Sequence, residues 1–128
     1  METSVAAWVS KAESDYRVGA RAAQAVGSAL LDAACFHAQQ CVEKYAKAFL
    51  CSRGVEFART DDDMISLYAR CVVLDPQLKV YESDFERFQR YRIAILYPGD
   101  SAAEEDARAA LEIATRLRAF FRAKLELD

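Results

Sequence analysis

Apolar residues recur along the chain at spacings of three and four, the period of a helix with one buried side. The first run predicts a helix from Thr3, as N-cap, to about Val26, followed by a break at Gly27-Ser28. The second predicts a helix from about Ala29 to Ser52, which Arg53-Gly54 would end because glycine suits the left-handed C-cap position. The stripe of this second helix is Ala34, Ala38, Cys41, Val42, Tyr45, Ala48 and Phe49.

Three further helices follow from their end signals. Asp61, Asp62 and Asp63 place carboxylates where a third helix would start, and Asp75-Pro76 would stop it because the residue before a proline avoids the helical region. A fourth helix is predicted from about Gln77 to Leu96, before the turn Tyr97 to Asp100. Ser101-Ala102-Ala103-Glu104 has the form of a capping box and predicts the start of the fifth.

These elements predict one domain over residues 1–128, because the chain has a globular composition and nothing in it resembles a linker or a repeat. No window of the sequence shows the two-residue alternation of a half-buried strand. We therefore expect an all-α protein, an antiparallel up-and-down bundle of four long helices and one short helix.

Composition narrows the function classes. The formal net charge of -3 argues against broad neutralisation of nucleic-acid phosphates. Four cysteines without a C-x-x-C pair, and a single histidine, predict neither a metal site nor a cofactor. With no basic-apolar leader and no run of about 18 apolar residues, we expect a cytoplasmic protein that does not use a membrane.

The second helix carries polar residues that its apolar stripe does not explain. Phe36 and Leu50 fall outside the stripe, in company with Gln39, Gln40, Glu43 and Lys47, and predict a second contact surface. We expect that surface to be a homodimer interface through Phe36 and Leu50. His37 lies beside Lys44 on the same helix; it is either a hydrogen-bonded packing residue or a titrating group of a site.

Arg92 falls near the middle of the apolar stripe of the fourth helix, where an aliphatic residue would be expected. A buried guanidinium must be paired, so Arg92 either reaches a carboxylate such as Glu43 or Asp62, or lines a groove open to a phosphate ligand.

The segment ACFHAQQCVEKYAKAFLCSRG (34–54), followed by RTDDDMISL and FQRYRIAILYPG, resembles the HEPN domain family (higher eukaryotes and prokaryotes nucleotide-binding). The likeness runs from Trp8 to about Phe121. The residues that match the family pattern are Phe36, His37, Ala38, Gln39, Gln40, Glu43, Lys44, Lys47 and Gly54. The resemblance implies a helical bundle that dimerises and is commonly encoded beside a minimal nucleotidyltransferase, in pairs that behave as toxin and antitoxin.

Some branches of that family are metal-independent endoribonucleases whose signature is an arginine, four to six residues, then a histidine. Here the only histidine is His37, and positions 30–32, where its arginine would stand, hold two leucines and an aspartate. The nearest arrangement is Arg92-x4-Tyr97, with Arg90-x6-Tyr97 as another register.

From the resemblance we expect catalytic roles, where any survive, for Arg92, Tyr97 and His37, and nucleotide contacts from Arg92, Lys44, Lys47, Gln40 and Glu43. The expected function is that of a non-catalytic or weakly active HEPN-domain protein. It would work with a nucleotidyltransferase partner in a toxin-antitoxin-like module and bind nucleotide or RNA. The alternatives are an endoribonuclease with a degenerate Arg-x4-Tyr motif and a purely structural dimerisation module.

Overall fold

The computed structural model describes the chain except residues 1–2, 26–27, 59–60, 62, 97–98 and 100, and for residues 3, 28–29 and 92–96 it describes only the backbone. Five α-helices account for most of the described part, which contains no strand. They are α1 (Thr3–Gln24), α2 (Ser28–Ser52), α3 (Met64–Leu74), α4 (Glu82–Leu96) and α5 (Glu104–Lys124). The prediction of an all-α bundle with four long helices and one short helix is confirmed.

The predicted start of α3 holds because a local side-chain signal sets it. The carboxylate of Asp63 caps α3 by accepting the backbone N–H groups of Ile65 and Ser66, at 3.0 and 3.3 Å. Val26, Gly27, Asp62 and the side chain of Thr3, which also entered the predictions, lie outside what the structure describes.

Two predicted limits were wrong. The stretch predicted as one helix from Gln77 begins as a short 3-10 helix, Pro76–Tyr81, and becomes α4 only at Glu82. Pro76 at its first turn, and Asp75 accepting the N–H of Gln77, set up this separate start. Helix α5 starts at Glu104 with Ala103 as N-cap, because the carboxylate of Asp106, not Glu104, accepts the N–H of Ala103 at 2.9 Å.

Helix α2 lies in the middle of the bundle and packs against all four other helices. Between Ala38 and Leu50 every side chain is buried except those of Gln40 and Lys44. Large core residues beside it include Phe121 of α5, whose ring centroid lies 5.7 Å from that of Phe49. A helix enclosed in this way exposes only a narrow strip, and any site on it must use that strip.

Helices α1 and α2 run antiparallel and approach closely at Gly19. A Cβ atom at Gly19 would lie 3.4 Å from the backbone nitrogen of Ala38 and 3.5 Å from the carbonyl oxygen of Ala34. Helices α2 and α3, in contrast, run in the same direction. Cys71 contacts the carbonyl of Ala46, and Asp75, just after α3, pairs with Lys124 at the C-terminal end of α5, where Phe121 packs on Phe49 near the C-terminal end of α2. The longer connection over residues 53–63 allows this arrangement.

A carboxylate of α1 ties the three longest helices together. Glu13 accepts two hydrogen bonds from the guanidinium of Arg118, at 2.6 and 2.7 Å, and a third from the hydroxyl of Tyr45. Arg122 adds a second cation, 3.7 Å away. The hydrogen bond from Arg118 is the main reason that the pKa of Glu13 falls from 4.5 to about 2.

The lowered pKa of Glu13 predicts how the free energy of unfolding responds to acid. Because the folded pKa of Glu13 lies below the unfolded value, its contribution is complete above about pH 4.5 and is lost as the pH falls toward about 2. We expect Glu13→Gln to lower the free energy of unfolding by about 2 kcal/mol at neutral pH, and by progressively less below pH 4.5. Urea unfolding followed by circular dichroism across this range measures the effect.

The matched control is Glu112→Gln, which removes the same charge from an exposed position on α5 and should change stability little at any pH. A loss in Glu13→Gln that stays constant from neutral to acid pH would contradict the prediction.

Candidate functional site

Two of the predicted catalytic residues fall outside the described side chains. Arg92 belongs to α4 by its backbone, but its side chain is not described, and Tyr97 lies outside the described residues altogether. The roles proposed for Arg92, Tyr97 and their motif therefore stay predictions.

The third, His37, belongs to a cluster centred on a carboxylate of α1. Asp15 Oδ1 lies 2.8 Å from Nδ1 of His37, and Asp15 Oδ2 accepts a hydrogen bond from the ammonium of Lys44. His37 and Lys44 are seven residues apart, about two helical turns, and so lie on the same side of α2. We call these three residues the Asp15 cluster.

The close approach of the two helices positions the cluster. Gly19 stands one turn after Asp15 on α1, and its missing side chain lets α1 lie near the Cβ of His37. Asp15 is only 8% exposed, so its charge requires the partners that it has.

Sequence reasoning missed Asp15, although a signal was present. A carboxylate placed three residues after Ala12 and four before Gly19 lies on the buried stripe of α1, where it needs a cation from the facing helix.

The exposed strip of α2 lies directly beside this cluster. Phe36 is 41% exposed, and its ring meets that of His37 edge to face, with centroids 5.1 Å apart. Gln40 follows one turn later and is half-buried. We call Phe36, His37 and Gln40 the Phe36 face. It offers a flat apolar ring, an imidazole and an amide over about one turn of helix.

The tautomer of His37 follows from its partner. Because the carboxylate of Asp15 can only accept, a neutral imidazole donates from Nδ1 and leaves the lone pair on Nε2. Nε2 is then available to accept a proton or a hydrogen bond from a ligand.

Glu43 and Lys47, predicted on the second contact surface of α2, are buried within the chain itself, at 5% and 2% exposure. The Lys47 ammonium lies 3.3 Å from a carboxylate oxygen of Glu43 and 5.2 Å from the ring centroid of Trp8, which covers it. The prediction that they lie on a surface for a second molecule is wrong, because α1 packs over this part of α2. Their predicted contact with nucleotide stays a prediction.

Leu50 is also not at the surface. It is completely buried in the core, and the chain after α2 turns back over it, with the N–H of Val55 donating to its carbonyl. The expectation that Leu50 lies on an exposed second surface is therefore wrong. Phe36 keeps the exposure that a dimer contact would need, and dimerisation through it stays a prediction.

The cysteines contribute packing. Cys35, Cys41 and Cys71 are buried free thiols, and burial raises the pKa of Cys35 and of Cys71 to about 12. Cys51 is half-buried. Within the described ranges, no three side chains of metal-binding type come together, and no helix is long and apolar enough to cross a membrane.

Comparisons with curated proteins and with solved structures found no match. The model of one family, described as the HEPN domain, matches residues 5–124, nearly the whole chain. The match covers α1 to α5, and with them the Asp15 cluster and the Phe36 face. The chain therefore belongs to the HEPN domain family.

Proposed function

We propose that this protein binds single-stranded RNA or nucleotide on the Phe36 face, with little or no cleavage of its own, and acts with a nucleotidyltransferase partner in a toxin-antitoxin-like pair. Membership of the HEPN family supports a function related to nucleotides or RNA. The observation that carries the proposal is the exposed ring of Phe36 held against His37, which is itself oriented by Asp15.

The chemistry of this face suits a nucleobase. An exposed aromatic ring stacks on any base, and such stacking contributes about 1–3 kcal/mol per base. The imidazole of His37 and the amide of Gln40 offer both donors and acceptors to base edges and to the ribose 2'-hydroxyl. A ligand with a flat ring and a polar rim would therefore find a partner for each part.

The surroundings of His37 support weak catalysis or none. The described polar partner of His37 is a carboxylate, which repels a phosphate, whereas the ribonuclease signature calls for an arginine four to six residues before the histidine. Without a guanidinium at positions 30–32 to stabilise the charge on the reacting phosphate, the part of the rate enhancement that this arginine would supply is missing.

Binding can be tested with a fluorescein-labelled oligoribonucleotide of about ten nucleotides, followed by fluorescence anisotropy. We expect Phe36→Ala and His37→Ala each to weaken binding about 10-fold, the loss of one stacking or one polar contact.

The matched control is Val80→Ala, which removes an exposed apolar side chain from the 3-10 helix and should leave the affinity unchanged. If no oligonucleotide or nucleotide binds the wild type, or shifts its melting temperature, the proposal fails and a dimerisation module is the better description.

The hydrogen-bonded pair of His37 and Asp15 favours a second candidate function, a metal-independent endoribonuclease. A carboxylate on Nδ1 orients an imidazole for acid-base work at Nε2, and positioned acid-base groups commonly contribute about 100-fold or more.

We expect the purified protein to cut a labelled RNA slowly or not at all in excess EDTA, as followed by gel electrophoresis. Rapid cutting that His37→Ala or Arg92→Ala removes, while the circular dichroism spectrum is kept, would establish the ribonuclease and overturn the weakly active description.

The partners form the remaining part of the proposal. The family resemblance suggests a second copy of the chain and a nucleotidyltransferase as partners. A dimer contact through the exposed ring of Phe36 would cover the ring on which a base stacks, so these two uses of Phe36 exclude each other. We expect a dimer at micromolar concentration by light scattering, and co-purification with a nucleotidyltransferase when the protein is isolated from its native cell. A monomer would refute the dimer, and native isolates that consistently lack a nucleotidyltransferase in mass spectrometry would refute that partner.

A further inference from the structure

We infer that Asp15 sets the ligand class of the Phe36 face: by holding Lys44 in an ion pair, it makes this face select the bases of single-stranded RNA over the charges of a polyphosphate. The inference rests on the proposed function and specifies the ligand. Its basis is the balance of charges in the Asp15 cluster and the neutrality of the Phe36 face.

Lys44 is the lysine nearest to His37 on α2, and it is already paired. Its ammonium donates to Asp15 Oδ2, with side-chain exposures of 21% for the lysine and 11% for the aspartate. If Lys44 moved to bind a phosphate, the largely buried carboxylate of Asp15 would lose one of its two partners. That loss opposes the gain of a phosphate contact.

The other groups of this surface add little positive charge. Phe36 and Gln40 are neutral, and His37 carries a charge only when it is protonated. Lys11, one turn before Asp15 on α1, is exposed and supplies one cation at the edge of the cluster. Of these two lysines, Lys44 is thus offset by the carboxylate of Asp15.

A ligand held by phosphate charges and one held by its bases respond differently to salt. Each phosphate neutralised on a single strand contributes about 0.7 to the slope of log affinity against log salt. A face with one uncompensated lysine should therefore give a slope no steeper than about -1, whereas stacking on Phe36 is insensitive to salt. Inorganic triphosphate, which carries negative charge but no ring, should be the poorest ligand.

The experiment measures binding of the labelled oligoribonucleotide from about 50 to 300 mM salt, with competition by ATP and by inorganic triphosphate. For the wild type we expect the shallow slope and competition at least about 10-fold weaker by triphosphate than by unlabelled oligoribonucleotide. Asp15→Asn keeps an acceptor for His37 but frees the charge of Lys44. It should steepen the slope by about 0.7 and strengthen competition by triphosphate.

Two controls separate the charge of Asp15 from its place in the fold. Glu112→Gln changes the net charge equally on exposed α5 and should leave the slope as in the wild type. The double variant Asp15→Asn/Lys44→Gln should reverse the steepening, because the freed charge is gone.

A wild-type slope of about -2 or steeper, or triphosphate competing as well as the oligoribonucleotide, would overturn the inference while leaving RNA binding established. An unchanged slope in folded Asp15→Asn would overturn it as well. If Asp15→Asn does not fold, the two wild-type measurements still decide. Absence of all binding would instead defeat the proposed function, and this inference with it.

Discussion

Burial of α2 on nearly every side is the constraint that organises this protein. A central helix that carries charged and hydroxyl groups is stable only if each of them finds a partner inside the bundle, because an unpaired buried charge costs several kcal/mol. Helix α1 supplies these partners in sequence along its length. The pairs are Trp8 with Lys47, Glu13 with Tyr45, and Asp15 with Lys44 and His37.

The candidate site follows from this pairing. Where α1 covers α2 completely, as at Lys47, the polar group is sealed in and becomes part of the core. Where α1 passes to one side, as at His37, the same kind of pairing leaves one edge of the imidazole facing outward beside Phe36. Sealed and outward-facing polar groups thus lie only a few turns apart on one helix, and coverage by α1 decides between them.

The helices could be predicted from sequence because a period of 3.6 residues and end signals such as Asp63 act locally. The exposure of individual side chains could not be predicted in this way. A helical wheel gives the direction of a side chain but not the number of neighbours around the helix. Leu50, Glu43 and Lys47 do point away from the main stripe, and the second contact surface exists, but other elements of the same chain cover it. The place of Asp15 on the buried stripe of α1 is visible in the sequence, but its partners are not, because they depend on the register between α1 and α2.

The buried thiols have a consequence for the protein's response to oxidants. The thiolate is the form that reacts with peroxide or with a disulfide, and burial disfavours it at Cys35, Cys41 and Cys71. Packing and ion pairs hold the core together. Its cysteines are free and form no disulfide. Oxidative chemistry on the cysteines of this bundle is thereby directed to Cys51, at the far end of α2 from the Phe36 face.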